Sequence, residues 1–298
     1  MTSESWSRRD FFRRSAAVGA IAVAGPAALS ACMSTSSGDT LANARQAGKI
    51  KIGIAGEAPY GFTDNTGRVT GEAPEVARAV FRSLGINDIE AVQTDFNGLI
   101  PGLNAKNFDM VAAGMNITPQ RCGNAAFSNP DYTALTALLV PKGNPQQLMS
   151  FADVASKKVN IAVLSGAVEK GFAMDAGVPE SQIQSLDTQD NMLRAVSDNR
   201  VGAAALTDIS LKWLVAQNPS VPVEVTPGFT PQVGGVNAVS AGGFVFRKDD
   251  TATVEAFNTE LRELHDNGQW LQIVQPFFFT QANVPGPDVT TERLCSAG

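Results

Sequence analysis

Arg121 is the residue of this sequence whose surroundings best fit a binding role. It follows Thr118-Pro119, a helix N-cap with proline at the first helical position, so the stretch from Gln120 to Ala126 is predicted to be helical. A planar guanidinium can hold a carboxylate through two parallel hydrogen bonds, and the first turn of a helix favours an anion. The pattern favours an anion at Arg121, and the alternative is an arginine on an exposed helix.

Acidic and aromatic side chains follow the first two predicted strands. Glu57 and Tyr60 come after the strand at Ile50–Ala55, and Phe96 comes after the strand at Ile89–Thr94. An aromatic residue after a strand is often part of the core, and a glutamate in a loop is usually solvated. These are the alternatives to a binding role at the three positions.

The composition excludes several other classes of site. The chain has 298 residues and a net charge of −6, with no basic run after Arg14, which argues against nucleic-acid binding. The only histidine, His265, is predicted to lie on the surface, so a His-based triad or zinc cluster lacks its parts. Gly234-Gly235 and Gly242-Gly243 match no phosphate-binding motif. We therefore expect no catalytic residue, no cofactor and no metal.

Short β-type segments alternate with amphipathic helical ones from Lys49 onwards, which is typical of α/β layers. The predicted strands are Ile50–Ala55, Ile89–Thr94, Met110–Gly114, Ala134–Val140, Val159–Val163, Val201–Leu206 and Gly243–Arg247. The predicted helices are Glu72–Leu84, Asp95–Ala105, Gln120–Ala126, Val168–Ala176, Asn191–Ser197, Ala252–Asp266 and Gln269–Gln275. The breaker-rich segment Pro141–Pro145 indicates a boundary. The expected architecture is one lobe at 46–141 plus 243–298 and a second lobe at 142–242, with a cleft between them.

The first 31 residues have the features of an export signal. Ser7-Arg8-Arg9-Asp10-Phe11-Phe12 is a twin-arginine motif, and the apolar run that follows is short for a membrane span. Leu29-Ser30-Ala31-Cys32 resembles a bacterial lipobox, which makes Cys32 the expected lipidation site, and residues 32–45 are predicted to be a linker. An uncleaved membrane anchor is the alternative. If Cys32 carries lipid, Cys122 and Cys295 remain as a pair, for which we predict a disulfide rather than two buried thiols.

An ordered set of short motifs gives the chain a family resemblance from Lys49 to Cys295. The motifs are Gly56-Glu57-Ala58-Pro59-Tyr60, Gly71-Glu72-Ala73-Pro74-Glu75-Val76-Ala77, Ile100-Pro101-Gly102-Leu103, Phe108-Asp109-Met110, Ile117-Thr118-Pro119-Gln120-Arg121 and Phe127-Ser128-Asn129-Pro130-Asp131-Tyr132. Together they resemble the polar amino-acid family of periplasmic binding proteins. Within it, the resemblance is closest to ectoine and hydroxyectoine-binding proteins, through Thr118-Pro119-Gln120-Arg121-Cys122, Lys142-Gly143-Asn144-Pro145 and Thr290-Thr291-Glu292-Arg293-Leu294-Cys295.

The resemblance implies a type II two-lobed periplasmic binding protein fold, with two mixed sheets joined by a two-strand hinge. It implies that Arg121 grips the carboxylate of the ligand. It also implies that Tyr60 and Phe96 are aromatic walls around a cationic ring, and that Glu57 pairs with the N–H groups of that ring. Cation–π contact contributes about 0.5 to 2 kcal/mol for each wall.

Three positions depart from the pattern or are uncertain in alignment. Asn116 stands where the ectoine-binding pattern has a third aromatic residue, which implies either weaker binding of the same ligand or a more polar ligand. In the second lobe, Ala167 of the Ser165-Gly166-Ala167-Val168 turn replaces a ligand-binding hydroxyl, so Gly166 and Ala167 are expected to offer backbone donors only. Asp208 is expected either to bind a ligand ammonium or to cap a helix.

The resemblance implies a substrate-binding lipoprotein of an ABC importer, extracytoplasmic and exported by the twin-arginine pathway. Its expected ligand is a small zwitterion, ectoine or hydroxyectoine in the first place, with a polar or aromatic amino acid as the alternative. The expected partners are permease subunits and, through the lipid, the membrane, and the protein is expected to be a monomer. A cyclohexadienyl dehydratase-like enzyme with Glu57 as general acid is a remote alternative, and a sensor lobe without a permease is another.

Overall fold

The computed structural model describes residues 40–296 of the chain. The predicted signal segment, the lipidation site at Cys32 and most of the predicted linker lie outside these residues. Within residues 40–296, no helix combines the length and the apolar character that a bilayer crossing requires.

Fifteen strands are found in the described residues. In chain order they are β1 (Lys49–Ile54), β2 (Phe62–Thr63), β3 (Val69–Thr70), β4 (Asp88–Gln93), β5 (Met110–Asn116), β6 (Ala126–Phe127), β7 (Tyr132–Ala134), β8 (Thr136–Pro141), β9 (Ile161–Leu164), β10 (Ile183–Leu186), β11 (Ala203–Thr207), β12 (Val223–Val225), β13 (Gln232–Val233), β14 (Val236–Asn237) and β15 (Ser240–Phe246).

Eleven α-helices accompany them in the same part of the chain. They are α1 (Thr40–Ala47), α2 (Glu72–Ser83), α3 (Leu99–Asn104), α4 (Pro119–Cys122), α5 (Phe151–Ser156), α6 (Glu169–Asp175), α7 (Gln189–Ser197), α8 (Asp208–Gln217), α9 (Thr251–Asp266), α10 (Gln269–Val274) and α11 (Thr291–Ser296). Short 3-10 helices lie at Phe96–Gly98, Glu180–Gln182, Gln275–Phe277 and Gln281–Asn283.

Two mixed sheets form the two lobes, as the sequence predicted. The first sheet has the strand order β4-β1-β5-β15-β6, with β7 also paired to β15. Strand β1 is parallel to β4 and β5, whereas β15 runs antiparallel to β5. The second sheet has the order β10-β9-β11-β8-β12, in which β8 is the strand that runs antiparallel to both of its neighbours. Helices cover both sheets, so each lobe has its own core.

The chain crosses between the lobes earlier than residue 141, where the sequence placed the boundary. Strand β7 pairs with β15 in the first sheet, whereas β8 pairs with β11 and β12 in the second. The crossing therefore lies near Leu135, and the chain returns just before Ser240. The breaker-rich segment Pro141–Pro145 ends a strand of the second lobe. A cluster of proline and glycine interrupts strand pairing wherever it occurs, so it does not by itself mark a lobe boundary.

Residues 40–45, which were predicted to be part of a linker, belong instead to α1 on the surface of the first lobe. The Thr40 hydroxyl donates to Asp250 Oδ1 at 2.7 Å, and the Leu41 N–H donates to Thr253 Oγ1 at 3.2 Å. Leu41 and Ala44 are buried in the core of the lobe. The helix is held in place by the burial of these two side chains and by the two hydrogen bonds. The polar sequence of this segment gave no indication that it packs on the lobe.

The helix predicted at Gln120–Ala126 is also shorter than expected. Helix α4 ends at Cys122, and Ala126 already lies in β6. Cys122 is joined by a disulfide to Cys295 of α11, with the two Cα atoms 5.7 Å apart. The covalent link fixes the C-terminal helix against the element that carries Arg121.

A buried polar cluster lies inside the first lobe. Glu72 at the start of α2 is fully buried, and its carboxyl group meets that of Asp131, with no other donor group bonded to its oxygens. Asp131 lies beside it and accepts a hydrogen bond from the Trp270 indole at 2.7 Å. Burial, together with the charge of Asp131, raises the pKa of Glu72 well above its usual value.

His265 belongs to the same cluster, so the prediction that it lies on the surface is wrong. Its Nε2 is 3.5 Å from Asp131 Oδ1, and its ring stacks on Trp270 with the centroids 4.7 Å apart. His265 shares a face of α9 with Leu261 and Leu264, and this face points inward. The prediction failed because it was based on the charged residues of the helix and not on this apolar face.

We predict that the Glu72→Gln variant removes a pH-dependent part of the stability. A carboxyl group whose pKa is raised by folding contributes stability below the unfolded pKa of about 4.5, and this contribution is lost as the pH rises towards the folded pKa. The free energy of unfolding of the wild type, relative to Glu72→Gln, should therefore fall with rising pH by up to about 1.4 kcal/mol per unit. Urea denaturation between pH 5 and 8 measures this. The exposed Glu255→Gln variant is the control, and parallel pH profiles for wild type and Glu72→Gln would contradict the prediction.

Candidate ligand-binding cleft

Arg121 spans the cleft between the two lobes. Thr118 caps α4 through a hydrogen bond from the Arg121 N–H at 3.3 Å, with Pro119 at the first helical position. The guanidinium donates through Nη1 to the Asn116 carbonyl at 2.7 Å and through Nη2 to the Gly166 carbonyl at 2.9 Å. Gly166 belongs to the second lobe, so this side chain links the carboxyl end of β5 to the opposite wall. Burial lowers the pKa of Arg121 from its usual value.

Phe96 lies under Arg121 and contacts both lobes. The guanidinium carbon is 5.3 Å from the centre of the Phe96 ring. The ring packs against the core of each lobe and lines a cavity of about 250 Å³ at the mouth of the cleft, together with Glu57 and Thr188. A half-buried ring that already stacks on a cation is suited to receive one from a ligand.

Glu57 is buried on the first-lobe side, with 9% of its surface exposed. The Ser210 hydroxyl, from the second lobe, donates to Glu57 Oε1 at 3.1 Å. Burial and the charge of Glu169 raise the pKa of Glu57 to about 8, against the opposing effects of the Ser210 hydrogen bond and of Arg121. Glu57 is therefore buried, and the alternative of a solvated loop carboxylate is wrong.

Tyr60 forms the back of the site and belongs to the core. Its ring contacts Tyr132 and Phe279, with centroids 5.1 and 5.7 Å apart, and its hydroxyl donates to Thr207 Oγ1 at 3.0 Å across the lobes. Like Arg121 and Asn116, Tyr60 does not line the cavity at the cleft mouth. In this closed arrangement it acts as core packing and as a link between the lobes.

Asn116 ends β5 on the face that Tyr60 covers. Its carbonyl oxygen accepts the hydrogen bond from Arg121, and its side chain is only 8% exposed. The side-chain Oδ1 is buried without a hydrogen-bond partner. A buried amide oxygen without a donor costs free energy, about 1 to 3 kcal/mol, which a donor from a ligand would recover.

The Ser165-Gly166-Ala167 turn offers fewer backbone donors than the sequence suggested. The Ala167 N–H donates to the Leu164 carbonyl at 3.1 Å, so it is already used within the turn. Gly166 has a positive φ of 79°, and it presents its carbonyl oxygen, not a donor, to Arg121. Asn97 Nδ2 donates to Ser165 Oγ at 3.1 Å, which adds another link between the lobes.

Asp208 does not lie in the cleft cavity, and neither of the two predicted roles describes it. Thr207 is the N-cap of α8, and Asp208 is the first helical residue. Its carboxylate accepts from the Leu135 N–H at 3.2 Å and from Lys212, and it lines a separate cavity of about 540 Å³ at the hinge. Successive side chains on a helix point about 100° apart, so Asp208 and Thr207 point in different directions although they are neighbours in the sequence.

Glu169 and Ser210 belong to the region where the lobes meet although the sequence did not single them out. Glu169 begins α6 and is 2% exposed, and burial raises its pKa to about 7 against the opposing effects of its own backbone N–H and of Arg121. Glutamate is common in the first turn of a helix, because its charge complements the helix dipole. The position of Glu169 in the sequence therefore did not indicate a binding role. No group of His, Cys, Asp or Glu in residues 40–296 is arranged to hold a metal ion.

A family model for bacterial extracellular solute-binding proteins, family 3, matches residues 50–280. The chain belongs to this family. The match covers both lobes and every cleft residue described above, and the two-lobed arrangement is the type II fold of periplasmic binding proteins.

Similar proteins agree with this assignment. The chain is 35% identical over 260 residues to a probable amino-acid ABC transporter periplasmic-binding protein of Sinorhizobium fredii, covering 86% of each chain. It is 29% identical over 255 residues to the arginine-binding extracellular protein ArtP of Bacillus subtilis, covering 84% of this chain and 92% of ArtP. A crystal structure of EhuB in complex with hydroxyectoine is similar, with 32% identity, a TM-score of 0.77, and coverage of 87% of this chain and 98% of EhuB. This solute-binding protein is therefore a periplasmic binding protein of the amino-acid ABC transporter type.

We predict that Gly166→Ala opens the cleft of this solute-binding protein. A Cβ atom at Gly166 would lie 2.0 Å from Asn97 Oδ1 of the opposite lobe, so closure would require Asn97 to move and to lose its bond to Ser165. Small-angle X-ray scattering should give a larger radius of gyration for the variant than for the wild type. Gly143→Ala is the matched control, because Gly143 has a φ of 80° but open space around its Cβ. The two variants should share a similar cost in thermal stability, and an equally closed Gly166→Ala would contradict the prediction.

Proposed function

We propose that this solute-binding protein captures a small zwitterion for an ABC importer, with ectoine and hydroxyectoine as the first candidates. The observation that supports this most directly is the cross-lobe position of Arg121 beside the buried Glu57. One fixed cation and one acidic group in a closed cleft complement a ligand that carries one charge of each sign. EhuB, whose structure holds hydroxyectoine, resembles this chain over nearly its whole length.

Arg121 is proposed to receive the carboxylate of the ligand. Its two donor groups now meet the carbonyl oxygens of Asn116 and Gly166, which are neutral acceptors. A carboxylate presents two charged acceptors in the spacing that a guanidinium matches, and charge-assisted hydrogen bonds are roughly twice as strong as neutral ones. The ligand therefore competes with these carbonyl oxygens for the same N–H groups.

The cationic end of the ligand is proposed to meet Glu57 and the ring of Phe96. Glu57 is linked to Ser210, and Phe96 lines the cavity, so both groups lie where the two lobes meet. A cation there would lower the pKa of Glu57 and keep it ionised. Asn116 Oδ1 would accept a hydrogen bond from a ligand hydroxyl or N–H group, which favours a ligand with an additional donor, such as hydroxyectoine.

A basic amino acid is the second candidate, and the two buried carboxyl groups favour it. Glu57 and Glu169 both lie in the cleft with one arginine, so a ligand with an extra positive charge would balance them better than a neutral zwitterion. The similarity to arginine-binding ArtP agrees with this candidate. A polar or aromatic amino acid remains within the same class of ligand.

Location and partners are also part of the proposal. We propose that the protein acts outside the cytoplasm as a monomer, held by a lipid at Cys32 after twin-arginine export, and that it delivers its ligand to permease subunits. Solute-binding proteins of ABC importers bind small ligands and interact with such subunits, and the relatives are named as binding proteins. We propose no catalytic role for the cleft, and an assay for product from prephenate or arogenate tests this point.

Calorimetric titration of the purified chain with ectoine, hydroxyectoine, arginine and a panel of other amino acids tests the proposed ligand. For the ligand that binds, Arg121→Lys should weaken binding by about 10-fold to 100-fold, because a lysine ammonium cannot hold a carboxylate through two parallel bonds. Arg78→Lys is the control, since Arg78 is half-buried on α2 and pairs with Glu75 outside the cleft.

The outcomes separate the candidates. Binding of ectoine or hydroxyectoine that is lost in Arg121→Lys supports the first candidate, and heat from arginine alone supports the second. A ligand whose affinity is equal in the wild type and in Arg121→Lys would contradict the role of Arg121. No binding of any solute in the panel would contradict the proposed ligand class.

A further inference from the structure

Helix α8 follows β11 of the second lobe, yet it packs on both lobes. Leu211 and Leu214 are buried in the core of the second lobe. Ile209 is buried in the core of the first lobe instead, and Trp213 packs against that same core. Positions four apart lie on one face of a helix, so α8 turns one apolar face to each lobe.

Trp213 lies among three phenylalanine rings of the first lobe. Its ring centroid is 5.9 Å from that of Phe62 in β2, 6.3 Å from that of Phe277 and 5.2 Å from that of Phe278. Aromatic rings at such distances attract each other in addition to burying apolar surface. These four rings, which we call the Trp213 cluster, therefore form an apolar contact between the lobes.

The face of α8 that bears Trp213 also bears the polar groups that meet the first lobe at the cleft. Ser210 lies one turn before Trp213, and its hydroxyl donates to Glu57 Oε1 at 3.1 Å. Thr207, the N-cap of α8, accepts a hydrogen bond from the Tyr60 hydroxyl at 3.0 Å. Positions 207, 210 and 213 are three apart, so one helix face presents two hydrogen-bonding groups and one aromatic ring to the first lobe.

The two kinds of contact on this face differ in what they contribute. The hydrogen bonds are exchanged for bonds to water when the groups separate, so each adds little net free energy. Aromatic rings leave water only when they are packed together, so the Trp213 cluster favours the arrangement in which α8 rests on the first lobe. The apolar contact therefore holds the helix, and the hydrogen bonds fix its polar groups.

We propose that Trp213 is a positioning residue for ligand capture, because its contact with the three phenylalanine rings holds the Ser210 hydroxyl at Glu57. The acidic end of the binding site is thus set in place by an apolar contact one helix turn away. This inference rests on the proposed function, in which Glu57 meets the cationic end of the solute. It adds a residue that governs affinity through Ser210.

Calorimetric titration with ectoine, hydroxyectoine and arginine measures the effect of Trp213 on affinity. For the solute that binds the wild type, Trp213→Ala should weaken binding by about 10-fold, because Ser210 is no longer held at Glu57. Trp213→Phe keeps an aromatic ring in the cluster and should stay within about 3-fold of the wild type. Val215→Ala is the matched control, since Val215 is a half-buried residue of the same helix that packs on the second lobe.

A double-mutant cycle distinguishes positioning from a general loss of stability. If Trp213 acts through Ser210, the affinity lost in Trp213→Ala and Ser210→Ala together is smaller than the product of the two separate losses. A loss equal to that product would overturn the inference, and so would an unchanged affinity in Trp213→Ala. Trp213→Leu, which keeps apolar volume at the site, takes the place of the alanine variant in the cycle if thermal unfolding shows that Trp213→Ala is not folded.

Small-angle X-ray scattering of the ligand-free protein separates this inference from the proposed function. We expect a larger radius of gyration for Trp213→Ala than for the wild type and Val215→Ala, because α8 no longer rests firmly on the first lobe. Equal radii for Trp213→Ala and the wild type would overturn the inference even if solutes bind. Failure of every solute to bind the wild type would contradict the proposed function instead, and the scattering would still decide the role of Trp213.

Discussion

The guanidinium of Arg121 is the interaction on which the cleft depends. It joins the end of β5 in the first lobe to the Gly166 turn in the second, and it stacks on Phe96 between them. A four-residue helix would be a weak support for such a side chain, since isolated short helices are marginal in water. Here the Thr118 cap and the disulfide from Cys122 to α11 hold the helix, so the charge is fixed before a ligand arrives.

The remaining contacts between the lobes are hydrogen bonds and apolar packing. Phe96 packs against the core of the second lobe, and the ring of Trp213 on α8 lies 5.9 Å from that of Phe62 in the first lobe. The hydrogen bonds are as follows. Tyr60 meets Thr207, Ser210 meets Glu57, Asn97 meets Ser165, and Gln189 Nε2 donates to the Ala58 carbonyl at 2.8 Å. Each contributes little net free energy, because water satisfies the same groups when the cleft is open. The hydrogen bonds therefore oppose opening only weakly, whereas the apolar contacts of Phe96 and Trp213 favour the closed form. A ligand shifts the balance only through a preference for the closed form.

We propose that electrostatics contributes to the selectivity of the closed form. Burial makes unpaired charge expensive, so we expect a cleft that holds Arg121 and Glu57 to discriminate among solutes by their charge as well as by their shape. Asp208 has no part in this proposed selectivity, because its carboxylate accepts hydrogen bonds from the Leu135 N–H and from Lys212 at the hinge. Its place near the crossing strand gives it a structural role in the joint between the lobes.

The sequence by itself determined the alternation of strands and helices, the two-lobed α/β class and the position of Arg121, because these follow from local pattern. Each of these features is determined by a segment of about ten residues. They are the apolar periodicity, the Thr-Pro cap and the strand before that cap. The pairing of Cys122 with Cys295 was also a prediction from the sequence, and the structure contains this bond. The lobe boundary and the place of α1 were misjudged, since sheet membership and docking depend on partners far along the chain.

Only the tertiary structure decided where each of three acidic groups lies relative to the cleft. Glu57, Glu169 and Asp208 are similar in sequence terms, each lying next to the end of a strand or the start of a helix. Asp208 is the residue after the N-cap of α8, and its side chain points to the hinge. Glu169 is buried within range of the charge of Arg121, which is 48 positions away in the sequence. Burial and distance between charges set these roles, and both arise only when segments far apart in the chain are packed together.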